Sequence, residues 1–137
     1  MRKIEHLGIA VKNLETSKEL FSRLLGKDSY KEEQVGAEGV QTAFFLLGET
    51  KIELLEALSA DSPIAKFLEK KNEGLHHIAI AVDDIYSEMD RLKKEGFELL
   101  NDLPKKGADD KLVVFLHPRS TNGVLVELCQ DLETEKE

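Results

Sequence analysis

The stretch HLGIAV at residues 6–11 returns as HIAIAV at residues 77–82, and this repeat decides the predicted fold. Each copy is followed by a strand-like stretch with one glutamate, KIELL at residues 51–55 and LVELC at residues 125–129. The two histidines lie 71 residues apart (positions 6 and 77), and the two glutamates 74 apart (positions 53 and 127). In a chain of 137 residues, such a repeat predicts two similar modules that share one core.

The first copy predicts the order β-α-β-β-β. Asn13 is a suitable N-cap for residues 14–25, whose apolar positions recur at helical spacing, and Gly26 is a natural stop. The predicted strands of this module are residues 4–11, 29–35, 40–47 and 51–57.

The second copy predicts the same order. Asp83-Asp84 precedes a helix predicted over residues 85–95, which stops at Gly96. Between the two modules, Ser62 and Pro63 predict the N-cap and first residue of a linking helix over residues 63–71. The other predicted elements are strands at 76–82, 97–100, 111–117 and 123–129, with a loop at 104–107.

Strand alternation places each repeated histidine among small residues. His6 shares a face with Gly8 and Ala10, just as His77 shares one with Ala79 and Ala81. These small side chains predict room for a ligand above the sheet.

The repeated glutamates point to a metal. Glu53 and Glu127 lie inside apolar strands, where a buried carboxylate needs a partner. Any one such residue is more often an ordinary strand histidine or a glutamate that faces solvent. Two imidazoles and two carboxylates at matching places in a repeat instead predict that His6, Glu53, His77 and Glu127 bind a divalent metal ion.

The predicted fold class is α+β, with two tandem βαβββ modules forming a curved mixed β-sheet around the metal site. Residues 1–130 form a single domain in this prediction. It contains a first module at 1–58, a linking helix region at 59–73 and a second module at 74–130. Residues 131–137 are predicted to be an acidic tail.

The composition limits the classes of partner. A net charge of −8 argues against nucleic-acid and anionic-membrane binding, because both depend on a basic surface. No apolar run has the length of a bilayer span, and no signal-peptide stretch precedes the first strand. The lone Cys129 has no internal disulfide partner and lies in an apolar strand pattern. A cytoplasmic protein is predicted.

Several segments together resemble the vicinal oxygen chelate (glyoxalase/bleomycin resistance/dioxygenase) superfamily, and within it the methylmalonyl-CoA epimerase family. The resemblance extends from about Ile4 to Gln130. The segments that carry it are HLGIAV at 6–11, TKIELL at 50–55, DSPIAKFL at 61–68, GLHHIA at 74–79, VDDI at 82–85, HP at 117–118 and GVLVEL at 123–128.

This resemblance implies a metal-dependent isomerase that inverts the α-carbon of methylmalonyl-CoA by removing and returning a proton. It assigns the metal ligands to His6, Glu53, His77 and Glu127. The implied cofactor is a divalent ion, Co²⁺ first, with Mn²⁺, Ni²⁺ and Zn²⁺ as alternatives. The implied partners are an acyl-CoA thioester and a second copy of the chain in a homodimer.

The acid/base residues are less directly indicated. Some epimerases carry a catalytic glutamate where this chain has Thr42. We therefore assign the catalytic acid and base to Glu53 and Glu127, which come from opposite modules. Glu38, or a water held by Gln41, is the alternative. Basic residues that could meet the CoA phosphates are Lys105, Lys106, Lys111 and Arg119.

Three other functions fit parts of the pattern. Glyoxalase I has a similar His/Glu/His/Glu ligand set, but the DSPIAKFL and GLHH segments favour the epimerase. Non-catalytic members that bind small molecules generally lack the complete ligand set. Ring-cleaving dioxygenases normally use two histidines and one carboxylate. His76 and His117 have no repeat partners and are not predicted as ligands; His117 is expected to be structural or close to the substrate.

Overall fold

The computed structural model describes residues 1–132 as two compact units. One unit runs from His6 to His76, and the other combines Met1–Glu5 with the chain from His77 onward. The strands are β1 (Lys3–Ala10), β2 (Lys31–Val35), β3 (Val40–Leu47), β4 (Thr50–Ala57), β5 (Gly74–Ala81), β6 (Lys105–Gly107), β7 (Lys111–Leu116) and β8 (Val126–Asp131). The helices are α1 (Leu14–Leu25), α2 (Pro63–Lys71) and α3 (Ile85–Lys94).

The helix signals in the sequence are confirmed. The Asn13 side chain accepts a hydrogen bond from the Thr16 N–H, and α1 ends at Gly26 in the left-handed conformation that glycine tolerates. Ser62 caps α2 in the same way, with Pro63 as its first residue. Asp84 caps α3.

Each unit contains a mixed sheet. In the first, the strand order is β2-β3-β4-β1, with β1 and β4 parallel and the other neighbours antiparallel. In the second, the order is β5-β8-β7-β6, with β5 and β8 parallel. The predicted α+β class and the repeated βαβββ order are confirmed.

Two predicted strands of the second module are wrong in position. Residues 97–100 form only a bridge between Leu99 and Leu116, and the second strand of the module is instead β6, in the predicted loop. β8 begins at Val126 rather than at 123, because Gly123 (φ 86°) lies in a turn whose N–H donates to the Pro118 carbonyl. Of the predicted tail, Asp131 belongs to β8, and residues 133–137 lie outside the described residues.

Helices α1 and α3 each cover one face of the sheet in their own unit. In the first unit Leu14 of α1 packs with Phe45 and Leu54, and in the second Ile85 of α3 packs with Val114 and Leu128. On the opposite face of the first sheet, Ile64 of α2 packs against Ala10 and Leu55. Ala10 is therefore fully buried, and the prediction that it leaves room for a ligand is wrong.

A side chain from the end of each parallel strand also anchors the helix of its module. The Leu14 N–H at the start of α1 donates to Glu56 Oε1 (2.6 Å), and the Ile85 N–H at the start of α3 donates to Gln130 Oε1 (2.7 Å). The first N–H groups of a helix have no partner within the helix. Glu56 and Gln130 supply one, and they stand 74 residues apart, like the repeated glutamates.

We expect Glu56→Ala to lower the free energy of unfolding by about 1–2 kcal/mol, because the partly buried Leu14 N–H loses its acceptor. Urea unfolding followed by circular dichroism measures this change. Glu56→Gln is the matched control, since Gln130 fills the same role with an amide. If Glu56→Gln lowered the free energy of unfolding as much as Glu56→Ala, the start of α1 would depend on the negative charge of Glu56 rather than on its hydrogen-bond acceptor.

Candidate metal site

The register of the parallel strands brings each repeated histidine to its glutamate. β1 pairs with β4 so that Gly8 lies opposite Glu53, and β5 pairs with β8 so that Ala79 lies opposite Glu127. His6 and His77 stand two residues before those partners, and a separation of two keeps side chains on one face. The sequence thereby builds one His/Glu pair within each unit.

The two pairs have nearly the same geometry. His6 Nε2 lies 3.1 Å from Glu53 Oε1, and His77 Nε2 lies 3.2 Å from Glu127 Oε1. All four residues are buried, with relative exposures of 3–6%. The alternative that the glutamates face solvent is therefore wrong, and the strand alternation predicted around the histidines is confirmed.

The chemistry of each pair fits a divalent ion. Imidazole nitrogen and carboxylate oxygen bind such ions at about 2.1 Å, so two ligands at right angles stand about 3.0 Å apart. The spacing within each pair is close to this value. His6, His77 and Glu127 each offer a buried ligand atom of this type. A metal also supplies positive charge to carboxylates that burial would otherwise disfavour.

A phenylalanine stands directly across the antiparallel neighbour from each glutamate. Phe44 of β3 pairs with Glu53, and Phe115 of β7 pairs with Glu127. Phe44 is buried beside Tyr30, with ring centroids 6.3 Å apart. Phe115 is half-buried and meets the His77 imidazole edge to face, with centroids 5.8 Å apart and planes at 82°. Both were missed in the sequence, although they are 71 residues apart like the histidines.

The structure separates the residues considered for acid/base chemistry. Thr42 is buried on the same face as Glu53, and its hydroxyl donates to the Glu33 carbonyl (3.2 Å). Gln41 pairs with Glu56, on the face of the sheet opposite to Glu53, which argues against the alternative of a catalytic water held by Gln41. Glu38 is half-buried in a short 3₁₀ turn, with Oε2 screened from solvent.

The remaining histidines have structural contacts. His76 packs edge to face on Phe67 of α2, with centroids 4.8 Å apart. His117 Nδ1 accepts a hydrogen bond from the Arg119 N–H and so caps the turn at Pro118–Ser120. This contact gives His117 a structural role, one of the two roles expected for it.

Most of the basic residues considered for CoA phosphates have acidic neighbours. Lys111 is largely buried, with Nζ 3.9 Å from Glu5 and 3.8 Å from Asp131. Arg119 forms an exposed ion pair with Glu98 (2.9 Å). Lys106 lies 3.8 Å from Asp110 and is exposed.

None of the helices in the described part of the chain combines the length and apolar character that crossing a bilayer requires.

Comparison with known proteins gives consistent similarities. A family profile described as the Glyoxalase/Bleomycin resistance protein/Dioxygenase superfamily matches residues 5–115. The chain is 44% identical over 127 residues to a mitochondrial methylmalonyl-CoA epimerase of Dictyostelium discoideum, covering 92% of this chain and 76% of that protein. It is 44% identical over 130 residues to an ethylmalonyl-CoA/methylmalonyl-CoA epimerase of Cereibacter sphaeroides, covering 93% and 97%. A solved structure of methylmalonyl-CoA epimerase in complex with methylmalonyl-CoA and NH4+ superposes with a TM-score of 0.92 at 31% identity, covering 96% and 95%.

Proposed function

Because the chain belongs to the methylmalonyl-CoA epimerase family of the Glyoxalase/Bleomycin resistance protein/Dioxygenase superfamily, we propose that it interconverts (2R)- and (2S)-methylmalonyl-CoA. The reaction removes the proton from the carbon between a carboxylate and a thioester and returns it to the other face. The observation that carries the proposal on this chain is the duplicated buried His/Glu pair, His6–Glu53 and His77–Glu127.

All four of these residues would hold one divalent ion, with cobalt as the first candidate and manganese, nickel and zinc as alternatives. The ion, when bound, would supply Lewis-acid stabilisation of the substrate oxygens on which negative charge develops. The buried imidazoles and carboxylates would fix its position. Their parallel strands are held at the far end by the Val11 N–H to Leu55 carbonyl bond and the Val82 N–H to Cys129 carbonyl bond, each 2.9 Å.

Inversion requires one group that removes the proton on one face and another that supplies it on the opposite face. We assign these roles to Glu53 and Glu127. Each glutamate would remove the proton from one of the two epimers, and the other glutamate would supply the proton on the opposite face. Thr42 supports this assignment in two ways. It has no carboxylate that could act as the acid or base, and its hydroxyl already donates a hydrogen bond to the Glu33 carbonyl. Glu38 is the alternative group.

The proposed partner is an acyl-CoA thioester. Lys105 and Lys106 in β6 are exposed and could meet its phosphates. Lys111 is a weaker candidate, because it is largely buried and close to two carboxylates. A cytoplasmic location, predicted from the composition, and a homodimer, implied by the family resemblance, remain predictions.

Deuterium incorporation tests the proposed reaction. Purified protein with added Co²⁺ is incubated in deuterated water with a single epimer of methylmalonyl-CoA, followed by NMR and chiral analysis. We expect deuterium at the α-carbon together with the opposite epimer. The glutathione–methylglyoxal adduct, tested in parallel, distinguishes glyoxalase I. If the metal-loaded protein converted that adduct but did not exchange the α-proton of methylmalonyl-CoA, the proposed activity would be glyoxalase I rather than the epimerase.

A further inference from the structure

The contact between Phe115 and His77 extends the His/Glu pair to a third member. Phe115 lies cross-strand from Glu127, where paired side chains are about 5 Å apart at Cβ, and its ring meets the His77 imidazole at 82°. One aromatic side chain thus lies beside both residues of the pair in the second unit.

A histidine that binds a metal needs a fixed ring plane. The χ2 torsion of histidine is broad and roughly two-fold, so the backbone alone does not fix the direction of Nε2. Neighbours that hold the ring commonly change metal affinity when they are removed. An edge-to-face aromatic contact contributes to such a restraint, because it depends on the angle between the rings.

We propose that Phe115 is a positioning residue that holds the His77 imidazole toward Glu127. For metal binding this inference rests on the proposed function, in which His77 and Glu127 are ligands. Phe115 is half-buried, whereas His77 and Glu127 are buried, so Phe115 is the most exposed of the three residues. Phe44 has the corresponding place beside Glu53, but it is itself enclosed.

Three variants test this role. Phe115→Leu removes the ring with a small change in volume, and Phe115→Tyr keeps the ring. Phe97→Leu is the matched control, because Phe97 belongs to the same unit but packs on the α3 side of the sheet. Imidazole NMR of metal-free protein reports the ring position directly. The chain has only four histidines, and His77→Gln identifies the signals of His77.

In Phe115→Leu we expect the His77 ring signals to lose the displacement caused by the phenylalanine ring current. Co²⁺ affinity should fall about fivefold, the range of an aromatic pair. Phe115→Tyr and Phe97→Leu should keep the wild-type His77 ring signals and the wild-type Co²⁺ affinity. If Phe115→Leu had the same His77 imidazole signals and the same Co²⁺ affinity as Phe97→Leu, Phe115 would only fill space in the core and would not position His77. If the wild-type protein bound no metal, the proposed function would fail, while the signals of metal-free protein would still decide whether Phe115 holds His77.

Discussion

Replacing Glu127 by glutamine is expected to lower the rate of inversion of methylmalonyl-CoA by about a thousandfold, within the range of positioned acid/base groups. Glutamine keeps the size of the side chain and an oxygen donor, but it neither accepts nor supplies the proton. Glu53 would still act on the face that it reaches. One epimer should therefore exchange its α-proton with deuterated water without inverting, and the other should do neither.

The pattern across variants makes this expectation specific. Glu53→Gln should show the opposite preference between the two epimers. Glu56→Gln is the matched control: Glu56 is on the same strand as Glu53 but faces α1, and glutamine should keep its hydrogen bond to the Leu14 N–H. Metal content is measured for every variant. Full exchange of both epimers by metal-loaded Glu127→Gln would refute the assignment and leave Glu38 as the group to test.

The sequence was most informative where structure depends on local residues. Asn13, Ser62 and Asp84 are short polar side chains whose oxygens accept hydrogen bonds from the next backbone N–H groups. Such capping operates over three residues, so the helix starts could be predicted without knowledge of the tertiary structure. The buried glutamates could also be predicted, because a carboxylate inside an apolar strand is unusual unless it has a partner.

Features that depend on pairing between distant strands were harder to predict. β6 has only three residues, Lys105–Gly107, and its polar composition gives no alternating pattern; pairing with β7 makes it a strand. The place of Phe115 beside Glu127 depends on the β7–β8 register, which no local signal specifies. Superposing the two halves at offsets of 71 and 74 residues would have matched Phe44 with Phe115 and Glu56 with Gln130.

Removal of the metal is expected to abolish epimerisation. Dialysis against a chelator should give protein without measurable turnover, and Co²⁺ should restore it. His77→Ala should lower Co²⁺ affinity at least about a hundredfold, because it removes a direct ligand, a larger loss than changes to supporting neighbours cause. Metal content after gel filtration and activity at increasing Co²⁺ measure the two effects separately.

His76→Ala is the control for this experiment, because it changes the adjacent histidine on the opposite face of β5. His76 packs on Phe67, so its loss should affect α2 and leave metal content and activity near wild type. The contrast between neighbouring histidines separates ligation from general damage to the strand. Equal loss of metal in both variants would point to distortion of β5, whereas retention of tightly bound Co²⁺ by His77→Ala would remove His77 from the ligand set.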